Sequence, residues 1–205
     1  DSNMCGIAGF YLKDNLVQKE NIIKTMNDML SHRGPDGEGY FNDDHVFFSH
    51  KRLAIIDLNE RSNQPFVDKS KNFVLVFNGE IYNYIELKQT LLEVGFKFFT
   101  SSDTEVLLNS YIYWGTELLK KIRGMFAFAI YDIKKKQIFC ARDHFGQKPF
   151  FYYFKDGNFA FSSELTSLIS NPTIKRELCL KSICNYLHYD SFVSSSTPLK
   201  NCYKC

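Results

Sequence analysis

The sequence predicts an α+β domain in which mostly antiparallel sheets are covered by helices. Short apolar runs rich in Phe and Tyr are separated by turn residues, which favours hairpin-linked strands. Between them lie segments with helical apolar spacing. The tally is roughly eight strands and four or five helices, a mixture typical of layered α+β domains. The 205 residues, 44% of them apolar, suffice for a sizeable core.

The first half of the chain alternates strand and helix patterns. A helix is predicted where Ile22, Met26 and Leu30 recur at helical spacing, and Gly34-Pro35 ends it. A glycine-rich loop is predicted over residues 33–39. Apolar runs predict strands over residues 6–12, 46–49, 53–56 and 73–77. The last of these runs into Asn78-Gly79, a strong turn signal.

The second half begins with a helix around Leu87 and Leu91 that Gly95 closes. Residues 96–100 are predicted to form a short strand. A further helix begins after Ser102, where capping-box spacing precedes an apolar run. Hairpins are predicted from residues 125–132 with 137–141 and from 149–154 with 159–162, followed by helices around 164–169 and 178–189.

Composition excludes several classes of function. The net charge of +2 is nearly balanced and forms no basic stripe, which argues against a nucleic-acid partner. The first thirty residues hold no long apolar stretch, so we expect neither a signal peptide nor a membrane anchor. The cysteines are scattered, a pattern that fits a reducing, cytoplasmic location better than a disulfide framework. They are Cys5, Cys140, Cys179, Cys184, Cys202 and Cys205.

Cys5 is a candidate nucleophile because of its position, between Met4 and Gly6. If Met4 is the initiator and is removed, Cys5 becomes the first residue and carries its own base. A free α-amine has a pKa of about 7.7–8.0 and can accept the thiol proton. The alternative is a small apolar residue at the start of a strand.

Three further features become informative beside Cys5: the Asn78-Gly79 pair, Arg52 and Asp103. Asn78 and Gly79 follow a strand and offer the two donors of an oxyanion hole, although an ordinary turn is the alternative. Arg52 can bind a carboxylate bidentately or can be a surface charge. Asp103 can hold an ammonium group or can simply cap a helix. Together the four predict a site for a free α-amino acid with an amide side chain.

The chain resembles the class II glutamine amidotransferase domains, which are N-terminal-nucleophile hydrolases, and is most similar to the N-terminal domain of glutamine-hydrolysing asparagine synthetases. The resemblance covers about residues 4–190. It rests on blocks at residues 4–10, 32–39, 49–57, 64–66, 77–84, 102–105, 124–132 and 141–149. It implies a four-layer αββα sandwich, with two mostly antiparallel sheets between helical layers.

The resemblance also implies residue roles. Cys5 matches the nucleophile, and Asn78 with Gly79 matches the oxyanion hole. The substrate-binding positions are Arg52, Leu53, Ile56, Asn78, Gly79, Glu80 and Asp103, with Arg52 holding the carboxylate and Asp103 the ammonium group. The histidines show no ligand spacing such as HExxH, so no metal and no cofactor are expected in this domain.

The resemblance further implies a domain organisation. We expect residues 1–4 to be a tag remnant plus initiator Met, 5–190 the amidotransferase domain, and 191–205 the start of a linker. A C-terminal synthetase domain, absent from this sequence, would bind ATP and Mg²⁺ and use the ammonia to make asparagine from aspartate. Alternatives are amidation of another carboxylate, such as a polysaccharide sugar acid, or a non-catalytic docking domain. The oligomeric state stays open, a homodimer included.

Overall fold

Two antiparallel sheets form the middle of the molecule, in a computed structural model that describes residues 5–14, 18–52, 64–192 and 195–205. The larger sheet has six strands in the order β10-β8-β9-β1-β3-β2. Its strands are β1 (Gly6–Tyr11), β2 (Gly37–Asn42), β3 (Val46–Arg52), β8 (Phe151–Lys155), β9 (Asn158–Ser162) and β10 (Cys202–Lys204). Hairpins join β2 to β3 and β8 to β9, and β1 lies at the centre, paired with β3 and β9.

The smaller sheet has four strands in the order β4-β5-β6-β7. They are β4 (Phe66–Val67), β5 (Phe73–Ile81), β6 (Gly124–Asp132) and β7 (Gln137–Arg142). β5 and β6 are the long central strands, paired along their whole length from Phe73 opposite Asp132 to Ile81 opposite Gly124. This length lets β5 carry side chains to the end of the sheet where the site lies.

Helices cover the outer faces of both sheets. They are α1 (Lys19–Asp28), α2 (Tyr84–Glu93), α3 (Asp103–Trp114), α4 (Leu165–Ser170) and α5 (Leu180–Tyr189), with a 3-10 helix at Gly115–Lys120. α3 begins where the sequence predicts, because the Ser102 hydroxyl accepts a hydrogen bond from the Thr104 N–H at 3.1 Å. No described helix is long and apolar enough to cross a membrane.

The core has three layers of buried side chains, as strand alternation requires. One face of β1 packs with α1, where Phe10 and Met26 are fully buried. Its other face meets the smaller sheet through a layer that contains Ile7 and Val76. The outer face of β5 packs under α2 and α3. The order helix, sheet, sheet, helix confirms the α+β class and the four-layer sandwich.

The predicted loop over residues 33–39 is wrong in its second half, where Gly37–Asn42 forms β2. The glycines indicated a loop, but glycine is needed at position 39 because the packing there leaves no room for a side chain. A Cβ there would lie 2.0 Å from the carbonyl oxygen of Gln64. Because this contact comes from a distant part of the chain, the local sequence pattern gives no sign of it.

Two further predictions differ from the structure. Residues 96–100 form no strand; Phe96 and Phe98 instead pack against the core beneath α2 and α3. Asn78-Gly79 is no turn but lies inside β5, where Asn78 pairs with Ala127.

The structure tests neither of two further predictions. The strand over residues 53–56, with Leu53 and Ile56, lies outside the described residues. The domain boundary at residue 190 stays a prediction, and within 191–205 the structure places β10 at the edge of the larger sheet, paired with β8.

Candidate active site

The candidate site lies at the end of the sandwich where β1 begins and β3 ends. Gly6 pairs with Lys51 in the antiparallel register, so the next positions outward are Cys5 and Arg52. Strand alternation places both on the face that carries Ile7 and looks toward the smaller sheet. The structure therefore brings the predicted nucleophile and the predicted carboxylate-binding residue to one end of the space between the sheets.

Asn78 reaches the same space from the opposite sheet. Val74 and Val76 of β5 belong to the layer between the sheets, and alternation puts Asn78 on that face. Asn78 is 2% exposed, and its Nδ2 donor finds no hydrogen-bond partner among the described residues. Buried donors without partners are costly and rare. This amide is therefore a ready donor for a ligand that enters the site.

The backbone conformation at position 79 requires glycine. Its φ of 152° lies in a region that side chains rarely adopt, and a Cβ would lie 2.1 Å from the carbonyl oxygen of Met125. The close pairing of β5 with β6 thus fixes the peptide unit next to Asn78. A rigid backbone beside a buried amide is the arrangement that charge stabilisation in a transition state needs.

Asp103 approaches this end of β5 from the first residue of α3. Its Oδ2 accepts a hydrogen bond from the Ile81 N–H at 3.0 Å. Burial, with a further contribution from the charge of Glu80, raises the pKa of the Asp103 carboxyl. Glu80 itself is exposed. A cation bound beside these carboxylates would relieve their repulsion.

Strand alternation in β3 turns the neighbouring charges of Lys51 and Arg52 to opposite faces, and His50 lies on the same face as Arg52. Lys51 turns to the outer face and pairs with Glu38, Nζ to Oε2 at 2.5 Å, whereas His50 and Arg52 face the smaller sheet. His50 is 2% exposed, and burial lowers the pKa of its ring to about 3. The imidazole is therefore neutral at physiological pH. Nothing in the local sequence, with Lys51 and Arg52 next to His50, indicates this burial.

Arg33 is a second residue that sequence reasoning missed. It is 7% exposed, and its Nε donates to the Cys5 carbonyl oxygen at 3.3 Å. Its Nη1 lies 3.0 Å from Oε1 of Glu164, at the start of α4. The turn that carries Arg33 packs closely against β3 because its next residue is Gly34. A Cβ at Gly34 would lie 2.5 Å from the Lys51 backbone.

Lys148 is a third such residue, with 6% of its surface exposed. Its N–H donates to Asp143 at 3.0 Å, and the same carboxyl oxygen accepts from Phe126, the residue paired with Gly79. Burial, with the charge of Arg33, lowers the pKa of the Lys148 amine, while Cys5, Asp143 and Glu80 act in the opposite direction. The electrostatic influence of Cys5 on this amine associates Lys148 with the candidate site.

Two groups of predictions remain. One concerns residues outside the described ranges, and the other concerns metal ions and cofactors. Leu53 and Ile56, predicted to line the substrate pocket, lie outside the described residues. Within the described ranges, no three His, Cys, Asp or Glu side chains are grouped so as to hold a metal ion. The absence of a cofactor stays a prediction.

This geometry agrees with the comparison to known protein families. Residues 4–205 match the family described as a glutamine amidotransferase domain. The chain belongs to this family. The amidotransferase domain is 46% identical, over 169 residues, to glutamine-hydrolyzing asparagine synthetase 1 of Bacillus subtilis, a match covering 81% of this chain and 27% of that protein. It is 41% identical over 192 residues to a putative glutamine-hydrolyzing asparagine synthetase 2 of Methanocaldococcus jannaschii, covering 85% and 36%.

Solved structures show the same fold. The amidotransferase domain superimposes with a TM-score of 0.67 on glutamine phosphoribosylpyrophosphate amidotransferase from B. subtilis, at 23% identity, over 81% of this chain and 43% of that one. At this identity the match concerns the fold alone. The chain spans only 27% and 36% of the two synthetases that it matches, which is consistent with a domain of a larger protein.

Proposed function

We propose that this domain hydrolyses the side-chain amide of glutamine with Cys5 as the nucleophile. The observation that carries the proposal is the position of Asn78. Its buried Nδ2 has no partner among the described residues, and strand alternation turns Asn78 toward the layer between the sheets, which Cys5 also faces. A nucleophile next to two fixed donors is the minimal arrangement for acyl transfer from an amide.

Substrate recognition in this proposal uses residues of both sheets and of α3. Arg52 of β3 holds the α-carboxylate of glutamine, because a guanidinium matches a carboxylate with two parallel hydrogen bonds. Asp103 holds the α-ammonium group, whose positive charge offsets the cost of ionising this half-buried carboxyl. Glu80 adds negative charge at the same end. Leu53 and Ile56 complete the substrate-binding positions in this proposal.

The chemical steps balance with groups of the chain and water. The free α-amine of Cys5 accepts the thiol proton, and the thiolate attacks the γ-carbonyl carbon. The oxyanion accepts hydrogen bonds from the Asn78 amide and the Gly79 N–H. The C–N bond breaks, the amine returns its proton to the departing ammonia, and a γ-glutamyl thioester remains. Water then attacks the thioester, which releases glutamate and restores the thiol.

We further propose that the ammonia serves asparagine synthesis from aspartate in a full-length enzyme. The support is the similarity to two asparagine synthetases, of which this chain spans about a quarter to a third. ATP and Mg²⁺ would bind in the synthetase domain. Since the acceptor is selected there, the same glutaminase chemistry is compatible with amidation of a different carboxylate.

Glutamate release from glutamine tests the proposal in three proteins. They are the chain beginning at Cys5, the same chain with Cys5→Ala, and the chain as printed. We expect release from the first and none from the second, since the second lacks the Cys5 thiol. The printed chain should be much slower, because its Cys5 nitrogen is an amide and cannot accept a proton. Equal rates for the first and third would refute the role of the free amine.

Covalent labelling distinguishes the enzyme from a docking domain. A glutamine-shaped diazoketone should add one label to the chain beginning at Cys5, and the label should map to Cys5. A chain that binds glutamine but is neither labelled nor active would support a non-catalytic docking role instead.

A further inference from the structure

Glu164 lies at the start of α4, and one of its carboxyl oxygens contacts both the Arg33 guanidinium and the His32 imidazole. Its Oε1 is 3.0 Å from Nη1 of Arg33 and 2.8 Å from Nε2 of His32. Burial disfavours the charged form, but the hydrogen bonds from Arg33 and His32 together outweigh it, and the pKa of the carboxyl is below its usual value. Glu164 is therefore ionised at neutral pH and neutralises the buried Arg33 guanidinium.

The same guanidinium contacts the backbone of Cys5, the proposed nucleophile. Arg33 Nε donates to the Cys5 carbonyl oxygen at 3.3 Å. The neighbouring residue of Glu164 holds the next part of β1, since Ser163 N–H donates to the Ile7 carbonyl at 2.8 Å and Ser163 Oγ accepts from the Ile7 N–H at 3.0 Å. Residues 163 and 164 thus fix the start of β1 at both Cys5 and Ile7.

We infer that Glu164 is a positioning residue for the nucleophile, acting through Arg33 on the carbonyl group of Cys5. The inference rests on the proposed function. The carbonyl carbon and the Cβ of Cys5 share one Cα, so holding the carbonyl limits the directions in which Sγ can point. Without Glu164, a 7% exposed guanidinium would lack its carboxylate and would turn toward other acceptors. The alignment of Sγ with bound glutamine would then be lost.

The experiment compares two thiol reagents on the chain processed to begin at Cys5. A glutamine-shaped diazoketone must bind in the site before it reacts, whereas iodoacetamide labelling, read at Cys5 among the six cysteines, reports only on the exposure and reactivity of that thiol. The variants are Glu164→Gln, Arg33→Met and the double variant. The matched control is Glu117→Gln, which removes a carboxylate from a surface pair with Lys120, 2.6 Å apart and outside the site.

We expect Glu164→Gln to slow labelling by the diazoketone about tenfold, because small misplacements of a reacting group have large effects on rate. Iodoacetamide labelling should stay within about twofold of wild type, and kcat should fall while KM changes little, since the substrate contacts remain. The double variant should be no slower than Arg33→Met, because both changes interrupt the same contact. Glu117→Gln should match wild type throughout.

Three results would overturn the inference. Equal slowing of both reagents would show a general loss of structure at Cys5. Additive effects in the double variant would show that Glu164 does not act through Arg33. A wild-type chain that reacts with iodoacetamide but not with the diazoketone would contradict the proposed function itself, and the inference with it.

Discussion

Asp103 and Ile81 are joined by a hydrogen bond of 3.0 Å, from the Ile81 N–H to the Asp103 Oδ2. This bond attaches the first residue of α3 to the end of the strand that carries Asn78 and Gly79. The proposed ammonium-binding carboxylate and the proposed oxyanion hole therefore share one rigid unit.

Replacing Asp103 with Asn should weaken glutamine binding. The amide keeps an acceptor for the Ile81 N–H but loses the negative charge opposite the substrate ammonium group. A charge-assisted hydrogen bond contributes about 1.5–3 kcal/mol, so KM should rise about tenfold to a hundredfold with a smaller change in kcat. Steady-state glutaminase kinetics measure this, with Asp156→Asn in an exposed turn as the control. An unchanged KM would contradict the role of Asp103.

The pH dependence of KM gives a second test of Asp103. Burial raises the pKa of this carboxyl, so it takes up a proton at a higher pH than an exposed aspartate does. Only the ionised form attracts the substrate ammonium group. KM should therefore increase as pH falls toward the raised pKa, and Asp103→Asn should lack this increase. The measurement is KM for glutamine across the acidic range in both proteins.

Gly79→Ala should destabilise the fold. The added Cβ would lie 2.1 Å from the Met125 carbonyl oxygen, and the φ of 152° at this residue favours glycine. Steric conflict with backbone in a paired strand should lower the free energy of unfolding by about 3 kcal/mol or more. Gly37→Ala is the matched control, because its nearest neighbour would be an Arg52 side-chain atom at 3.8 Å. Chemical denaturation of the two variants should separate them clearly.

The fold was predictable where its signals are local. The cap at Ser102 and the hairpin of β6 and β7 each depend on residues close together in sequence. β2 was missed because its Gly39 is explained by a contact with Gln64, more than twenty residues away. The strand over residues 96–100 was wrong because aromatic residues there pack against helices rather than pair with a strand.

The residues of the candidate site likewise divide into those that the local sequence reveals and those that it does not. Cys5, Asn78 and Gly79 carry chemistry that residue type and position reveal. Arg33 and Glu164 are ordinary charged residues in sequence, 131 positions apart, and only the packing of α4 against the larger sheet brings them together. Sequence patterns report the reacting groups, whereas the groups that hold them in place depend on tertiary contacts.

Asn78→Ala should separate activity from stability. Its Nδ2 has no hydrogen-bond partner to lose among the described residues. Removing one donor from an oxyanion hole costs about a hundredfold to a thousandfold in kcat. The free energy of unfolding should change by only about 1 kcal/mol, the scale of a single side-chain interaction.

Asn171→Ala is the opposite case and serves as the control. Asn171 is fully buried, and its Oδ1 accepts hydrogen bonds from Thr173 N at 3.0 Å and Thr173 Oγ1 at 2.8 Å. This variant should lose about 1–2 kcal/mol of stability with kcat unchanged, since it removes structural hydrogen bonds away from the site. Unchanged kcat in Asn78→Ala would contradict the proposed oxyanion hole.

Asp143→Asn should make stability less dependent on pH. The Asp143 carboxylate accepts hydrogen bonds from the N–H groups of Phe126, Gln147 and Lys148. Burial disfavours its charge, but these bonds together outweigh burial and lower its pKa. A lowered pKa means that the carboxylate stabilises the fold fully above the usual aspartate pKa of about 3.9 and loses this contribution as pH falls through the lower, folded value.

Unfolding free energies of wild type and Asp143→Asn at neutral and acidic pH test this. At pH 7 the variant should be less stable by about 1.5–3 kcal/mol, the scale of hydrogen bonds to a charged group. The difference should shrink as the pH falls below about 4, because wild-type Asp143 then becomes protonated as well. A difference that stays constant with pH would mean that the carboxylate charge does not hold the turn between β7 and Lys148.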